Sequence, residues 1–271
     1  SALVTDFSPL RTHRKWVSDI SNKLEKNFEM FTVDAHNVVP LWVASDKQEY
    51  AARTIRPKIN KQKGEYLVGF PELNANMKVE LPEPTDWEKA NSYLSIDRTV
   101  HPVNWVRPGS NNAKQELQNF CETKLSRFAS LRNKPSEDVL SNMSPYFHFG
   151  QIAPQRAIME VEEYAKSHPG CKESAAAFVE EALVRRELSD NFCYHQENYD
   201  NTKGAFPWAQ ETLKAHEDDK REHVYSLEEF DQARTHSAFW NAMQTQLVVE
   251  GKLHGVCLPF RRYRRYQQTN S

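Results

Sequence analysis

The chain has 271 residues, 39% of them hydrophobic and 27% charged, so it can bury a core beneath a charged surface, and its composition excludes general disorder. A formal net charge of −2 and a pI near 6.6 exclude a global basic field, so contact with nucleic acid would depend on a local positive patch. The four cysteines form no CxxC pair, which argues against a zinc site and a disulfide framework, and no apolar run is long enough to span a membrane.

The first 45 residues alternate strand and helix patterns. Residues 3–6 and 30–34 have the composition of strands, residues 14–27 have helical spacing, and residues 38–44 are a further apolar run. This order is typical of a parallel α/β sheet, in which we expect residues 2–4 to end a buried strand. No glycine-rich phosphate loop accompanies the pattern, so a dinucleotide site of the usual type is not indicated.

The pattern changes twice further along the chain. Residues 60–107 are rich in lysine and proline and only weakly periodic, which predicts an extended connector. Beyond residue 109, apolar residues at three- and four-residue spacing predict helices, and Ser226 with Glu229 forms a capping-box pattern before one of them. The predicted helices cover residues 112–130, 154–167, 174–194, 208–218, 227–234 and 237–250.

The helix around residues 178–192 carries the most informative polar residues. Glu181 and Arg185 share a face with Phe178, and because the helix is apolar on two sides, we expect both to lie in a partly enclosed place. Their four-residue separation allows an ion pair. Two interpretations stay open: a simple intrahelical salt bridge, or a polar pair that lines a pocket between helices.

Three further segments each allow two interpretations. The loop that ends in Ser144, ahead of an aromatic helix start, is either a phosphate cradle or an ordinary helix cap. Trp240 lies on an apolar stripe and is either core or functional. Residues 261–266 interleave arginine with tyrosine, which suits phosphates and exposed bases, or a solvated terminus. His148, His195 and His254 lack ligand-like spacing, and we interpret them as structural or surface histidines.

Taken together, the chain resembles the class II cyclobutane pyrimidine dimer photolyases from about residue 2 to residue 255. The segments that carry the resemblance are long and follow the family's order. They are residues 4–11 (VTDFSPLR), 33–40 (VDAHNVVP), 42–56 (WVASDKQEYAARTIR), 140–151 (LSNMSPYFHFGQ), 178–194 (FVEEALVRRELSDNFCY), 219–227 (DKREHVYSL) and 239–255.

The resemblance implies an α/β antenna-type domain followed by an all-helical domain that holds FAD. It implies a carbon–carbon lyase, in which light-excited reduced FAD donates an electron to a pyrimidine dimer flipped out of ultraviolet-damaged DNA. An antenna chromophore of unknown identity is a further expectation. We expect a monomer without a membrane partner, and a nuclear or other intracellular location follows from the implied substrate alone.

The resemblance also implies roles for individual residues. Glu181 matches the catalytic glutamate that hydrogen-bonds the dimer and stabilises its radical anion, and Trp240 matches one member of the tryptophan chain that reduces the flavin. Arg185 and Arg186 match positions where the family's helix lines the lesion pocket and the flavin, respectively. Phe128 stands where the family usually has a flavin-contacting tyrosine. The loop around the FAD phosphates corresponds to Ser141, Asn142, Met143 and Ser144.

The match stops at residue 256, where Leu258, Pro259 and Arg261 replace the family's arginine, methionine and tryptophan. We therefore expect a chain that is incomplete at both ends and that binds little or no FAD by itself. The expected organisation is a partial α/β domain (1–59), a connector (60–108), a partial helical domain for FAD and the lesion (109–255) and a divergent basic tail (256–271). A non-catalytic remnant with weak DNA affinity is the main alternative, and a cryptochrome-like light receptor is a third.

Overall fold

The structure, a computed structural model, describes residues 2–25, 27–72, 83–98 and 100–257. The polypeptide forms two compact units and enters the second one twice. The first unit consists of Ser1–Val68 and Arg107–Lys220, and the second of Gly69–Val106 and Arg221–Ser271. The basic segment 261–266 and the replacements at positions 258, 259 and 261 lie outside the described residues.

The first unit begins with a small parallel sheet. Strand β1 (Ala2–Asp6) pairs in parallel with β2 (Glu29–Val33), and helix α1 (Arg11–Ser21) connects the two strands. This arrangement confirms the predicted parallel βαβ order. The expectation of a buried strand is wrong, since Val4 is 63% exposed and its register partner Phe31 is 50% exposed. The sheet has two strands in the described part of the chain, and most of their residues are exposed there, whereas the faces of most parallel sheets are covered by helices.

Helices make up the rest of the first unit. Helix α3 (Ala52–Tyr66) extends past residue 60, so the extended segment starts later than predicted. The inner face of α3 is buried through Ile55 and Ile59, which are four residues apart. The predicted helix 154–167 is found with those bounds. The helices are α2 (Leu41–Ala44), α3 (Ala52–Tyr66), α5 (Ser110–Asn119), α6 (Leu125–Leu131), α7 (Ser144–His148), α8 (Pro154–Ser167), α9 (Lys172–Val179), α10 (Arg186–His195) and α11 (Pro207–Ala215), with 3₁₀ turns at Pro169–Cys171 and Thr202–Gly204.

Two predicted helices are each interrupted by a π-helical turn. The first π turn, Phe120–Lys124, joins α5 to α6, and the second, Glu180–Arg185, joins α9 to α10. In a π turn the backbone hydrogen bonds run from i to i+5, so side chains one turn apart are about five residues apart instead of about four. A pattern search for the α-helical period therefore predicts both helices but neither turn.

Aromatic side chains form the core between α6, α9 and the first π turn. The ring centroids of Phe120 and Phe128 lie 5.4 Å apart, and those of Phe120 and Phe178 lie 5.5 Å apart. All three rings are buried, and such pairs stabilise a core beyond the area they bury. This core fixes the position of α6 beside the second π turn.

Polar groups of α10 hold the segment after β2. The Glu187 carboxylate accepts hydrogen bonds from the backbone N–H groups of Val38 (2.6 Å) and Val39 (3.3 Å). The Asn191 side chain accepts from the Glu49 N–H at 2.7 Å and donates to the Lys47 carbonyl at 3.0 Å. These bonds satisfy backbone groups of a segment that has little regular structure of its own.

The second unit contains α4 (Trp87–Ser92), α12 (Leu227–Asp231) and α13 (Ala238–Glu250). Helix α4 lies inside the predicted connector. Both hydrogen bonds of the Ser226–Glu229 capping box are present, which confirms that prediction. The core of the unit consists of Phe230, Trp240, Met243 and Cys257.

Candidate functional site

The second π turn determines which residues form ion pairs on the predicted lesion-binding helix. Arg185 Nε donates to Glu180 Oε1 at 3.1 Å, whereas Glu181 Oε1 accepts from Arg132 Nη1 of the segment after α6 at 2.6 Å. The predicted pair of Glu181 with Arg185 is therefore wrong. Its physical reason is the turn: five-residue spacing brings Arg185 beside Glu180, while four-residue spacing would have brought it beside Glu181.

The expected enclosure of these side chains is also wrong. The Glu181 side chain is 46% exposed and that of Arg185 is 55% exposed. The three residues between them, Ala182, Leu183 and Val184, are the ones that the turn buries. The candidate site is consequently an exposed group of charges on the turn, open to a macromolecular ligand.

Glu180 is held from two sides. Arg56 of α3 donates through Nε to Oε2 at 2.9 Å and through Nη2 to Oε1 at 2.7 Å, a two-pronged arrangement that is among the stronger ion pairs in proteins. The hydrogen bond from Arg56 is the main cause that lowers the pKa of Glu180; partial burial opposes it, and Arg185 adds to it. Glu180 is therefore an anchored carboxylate between two guanidinium groups.

Arg132 joins the predicted site residues Phe128 and Glu181. Its guanidinium carbon lies 5.8 Å from the centre of the Phe128 ring, within the range of a cation–π contact, while Nη1 holds Glu181. Phe128 itself is buried among the aromatic rings of the core. The structure thus brings these two candidates to one place through a third residue.

The predicted phosphate loop has an unusual backbone. Asn142 has φ = 55°, in the left-handed region that asparagine adopts more readily than most residues, and Met143 follows in the right-handed helical region. Asn142 Nδ2 donates to Glu116 Oε1 of α5 at 3.4 Å, and the Met143 N–H donates to Ser141 Oγ at 3.5 Å.

The ordinary-cap interpretation of this loop is wrong. Ser144 is the first residue of α7 and is exposed, and Met143 in the N-cap position makes no side-chain cap. Helix α7 is only five residues long.

Arg186 lies in a buried polar cluster of the first unit. Its Nε donates to the Ala182 carbonyl at 3.0 Å, and its Nη2 lies 3.9 Å from Glu187 Oε1. Burial is the main cause that lowers the pKa of Arg186, against the attraction of Glu187, Asp190 and Asp34. Both terminal nitrogens lack a hydrogen-bond acceptor among the residues that the structure describes, so its role in cofactor binding stays a prediction.

Trp240 belongs to the second unit, whereas the other candidates belong to the first. Its ring is 2% exposed and packs on Phe230 with 5.4 Å between centroids, and its backbone N–H donates to the Ser237 hydroxyl that caps α13. The structure gives it the environment of a core tryptophan, and its electron-relay role stays a prediction.

An open surface pocket of about 250 Å³ lies elsewhere in the first unit and contains none of the predicted site residues. It is lined by Lys114, Leu117, Gln118, Cys121, Glu160 and Tyr164. Within residues 2–25, 27–72, 83–98 and 100–257, no cluster of histidine, cysteine and acidic side chains is arranged to hold a metal ion. Over the same residues, no helix has the length and apolar character needed to cross a membrane.

Comparison with known proteins gives consistent matches. Residues 1–78 match the family model described as DNA photolyase. A protein of Potorous tridactylus named deoxyribodipyrimidine photo-lyase is 48% identical over 258 residues, which cover 93% of this chain and 47% of that protein. One of the same name from Arabidopsis thaliana is 41% identical over 265 residues, covering 94% of this chain and 53% of that protein.

The chain is similar to the DNA photolyase family over residues 1–78, and to proteins named deoxyribodipyrimidine photo-lyase over most of its length.

The chain spans about half the length of the curated relatives that it matches. Two solved structures share its fold at low identity. A cryptochrome of Synechocystis has a TM-score of 0.62 at 16% identity, covering 93% of this chain and 52% of that one. A class III photolyase of Agrobacterium tumefaciens has a TM-score of 0.61 at 17% identity, covering 96% and 53%.

Three residues of the candidate site were not predicted from the sequence: Arg56, Arg132 and Glu180. Arg56 lies inside the matching segment 42–56, and Glu180 precedes a residue that was singled out. Nothing in the local pattern marks their contacts, because Arg132 is 49 residues from Glu181 and Arg56 is 124 residues from Glu180. The available signal was that Arg56 and Glu180 lie inside segments that carry the resemblance, residues 42–56 and 178–194.

Proposed function

We propose that this chain provides the lesion-binding part of a class II deoxyribodipyrimidine photo-lyase, which repairs cyclobutane pyrimidine dimers in DNA by light-driven electron transfer. The observation that carries the proposal is the 48% identity over 93% of the chain to a protein of that name. The relatives are about twice as long, so the activity of the whole protein is part of the proposal. The proposed substrate implies a nuclear or other DNA-containing compartment, and we propose a monomer.

The pair of Glu181 and Arg132 has the chemistry to bind a flipped pyrimidine dimer. A pyrimidine edge offers imide N–H donors and carbonyl acceptors, and enzymes bind flipped bases through hydrogen bonds to such edges. The Glu181 carboxylate would accept from an N–H group, and the guanidinium of Arg132 would donate to a carbonyl. When an electron enters the dimer, negative charge grows on the carbonyl oxygens, where a fixed cation stabilises it.

The residues of the predicted phosphate loop fit the diphosphate of a flavin nucleotide. A left-handed residue followed by a right-handed one turns successive backbone N–H groups into one concavity, which binds anions. Asn142 and Met143 have these conformations, and the hydroxyls of Ser141 and Ser144 flank them. Glu116 holds the Asn142 amide and so orients the loop. Reduced FAD, when bound, would supply the electron that splits the cyclobutane ring.

A direct test uses the purified 271-residue chain. Binding is measured to a DNA duplex with one central thymine dimer and to the same duplex without it, together with flavin absorption after incubation with FAD. Lesion preference, flavin near stoichiometric occupancy and dimer splitting under blue light would establish the enzyme. Lesion preference without retained flavin would support the non-catalytic remnant, and no preference at all would overturn the proposal.

Glu181→Gln is the matched variant for this test. It retains the shape of the side chain and removes the charge that Arg132 holds. We expect it to reduce lesion preference about ten-fold, which corresponds to about 1.4 kcal/mol, while leaving flavin content unchanged. Glu162→Gln removes a carboxylate of α8 that pairs with Lys63 and is not part of the π turn, and it serves as the control.

A further inference from the structure

Two neighbouring glutamates on the second π turn have separate sets of partners. Glu180 is bound by Arg56 and Arg185, and Glu181 is bound by Arg132. The group therefore contains three guanidinium groups and two carboxylates. The number of arginines that bind Glu181 determines how many ion pairs a ligand has to displace before it can bind the Glu181 carboxylate.

Arg185 is the arginine whose partner can change. Its side chain is exposed, it follows Glu181 by four residues, and it makes a single contact of 3.1 Å with Glu180. Arg56 cannot change in the same way, because both prongs of its guanidinium are fixed on Glu180 from α3. The carboxylate of Glu180 thus has a fixed position, and the π turn brings Arg185 to it.

We propose that Glu180, fixed by Arg56, is a positioning residue that draws Arg185 away from Glu181 and so leaves the Glu181 carboxylate to Arg132 and a pyrimidine dimer. This inference rests on the proposed function, in which Glu181 meets the lesion. Without the negative charge of Glu180, the exposed Glu181, four residues before Arg185, is the carboxylate that Arg185 can pair with, since Glu187 is buried and bound to Val38 and Val39. A lesion would then have to displace a second ion pair before it could bind.

The test compares Glu180→Gln with the control Glu162→Gln. Both replace a carboxylate that pairs with a cation of α3, since Glu180 takes Arg56 and Glu162 takes Lys63, but only the first lies on the π turn. Dissociation constants are measured for the thymine-dimer duplex and for the undamaged duplex. We expect Glu180→Gln to reduce the ratio of the two affinities by about 2- to 5-fold and Glu162→Gln to leave it unchanged.

The same substitution in a Glu181→Gln background separates positioning from direct contact. If Glu180 acts through Glu181, Glu180→Gln has no further effect on the ratio in that background. An effect that persists there, or an equal loss of affinity for both duplexes, would overturn the proposal, because either result means that Glu180 acts on DNA binding or on folding by another route.

A second measurement requires neither DNA nor flavin. A double-mutant cycle of Glu181→Gln and Arg185→Gln, read from urea unfolding, is expected to show no coupling in the wild type, since the two side chains do not pair. In the Glu180→Gln background the cycle should show coupling of about 2- to 5-fold in the unfolding constant. If this coupling fails to appear, the positioning role is wrong. If the coupling appears in the Glu180→Gln background but the wild-type chain shows no lesion preference, the proposed function fails and the positioning of Arg185 stands.

Discussion

Ala233 has a backbone conformation that its side chain disfavours. It follows the end of α12 with φ = 56°, its N–H donates to the Phe230 carbonyl at 3.1 Å, and the next N–H, of Arg234, donates to Glu229 at 2.8 Å. These two bonds define a Schellman helix end, at which glycine is the usual left-handed residue. A residue with a Cβ in this region costs about 1–2 kcal/mol.

Replacing Ala233 by glycine should therefore stabilise the protein. We expect the free energy of unfolding to rise by about 1 kcal/mol or somewhat less, because relief of the left-handed strain exceeds the extra entropy of glycine in the unfolded chain. Urea unfolding followed by circular dichroism measures the change. An unchanged or lower midpoint would show that the helix end relaxes at no cost.

The opposite substitution is expected to destabilise the end of α13. Gly251 has φ = 64°, and a Cβ built there would lie 2.6 Å from Cγ1 of Val103. Gly251→Ala should lower the free energy of unfolding by about 2 kcal/mol, from the left-handed conformation together with the contact. Gly255→Ala is the control, since a Cβ at that position meets nothing within 4 Å, and it should change the midpoint little.

Between elements, Asn191 links α10 to the irregular segment before α3, as Glu187 does nearer to β2. It is 1% exposed, and its side chain satisfies the Glu49 N–H and the Lys47 carbonyl at once. Buried backbone groups that lose their partners cost more than the hydrogen bonds themselves contribute.

Asn191→Ala should consequently destabilise the first unit by about 2–4 kcal/mol, because it leaves a buried donor and a buried acceptor without partners and removes side-chain volume. Hydrogen exchange should show the largest loss of protection at the Glu49 amide. Ser189→Ala, which removes an exposed hydroxyl from the same helix, is expected to change stability by less than about 0.5 kcal/mol. Similar effects of the two variants would contradict the link.

The helices could be predicted from the sequence where local signals act alone. Helix α8 begins with Pro154 at its first position, and the capping box at Ser226 marks the start of α12. The π turns could not be predicted, because their geometry depends on packing against other elements. For the same reason the pattern indicated Arg185 as the partner of Glu181, whereas the partner is Arg132 on another helical segment.

Across the first unit, two buried glutamates respond to pH in opposite directions. Burial raises the pKa of Glu187 to about 8, although the N–H groups of Val38 and Val39 and the charge of Arg186 act against it. Burial also raises the pKa of Glu49, but hydrogen bonds from Lys58, Thr54 and Ser45 outweigh it and lower the value to about 2. The pKa values of the two buried carboxyl groups thus differ according to whether side-chain hydrogen bonds, including one from a cation, outweigh burial.

The stability of the protein should therefore fall on both sides of a maximum. Folded Glu187 holds its proton more tightly than unfolded glutamate, so its contribution is complete below about pH 4.5 and is lost as the pH rises through about 8. Glu49 contributes above about pH 4.5, and that contribution is lost as the pH falls toward about 2.

Substitution of each glutamate tests this assignment. Glu187→Gln should flatten the loss of unfolding free energy between pH 5 and 8, and Glu49→Gln should flatten the loss on the acid side, as measured by urea unfolding over a pH series. If Glu187→Gln leaves the alkaline slope unchanged, the slope has another source, of which Asp190 is the next candidate because burial raises its pKa as well.

The exposed apolar side chains of strands β1 and β2 have a consequence for the 271-residue chain in concentrated solution. Strands β1 and β2 expose apolar side chains, and in the described part of the chain each has one edge with unpaired backbone groups. Such an edge is a template onto which another chain can add a strand. We therefore expect light scattering to increase with protein concentration well before any loss of helical signal, so that dilution rather than cooling preserves a monodisperse sample.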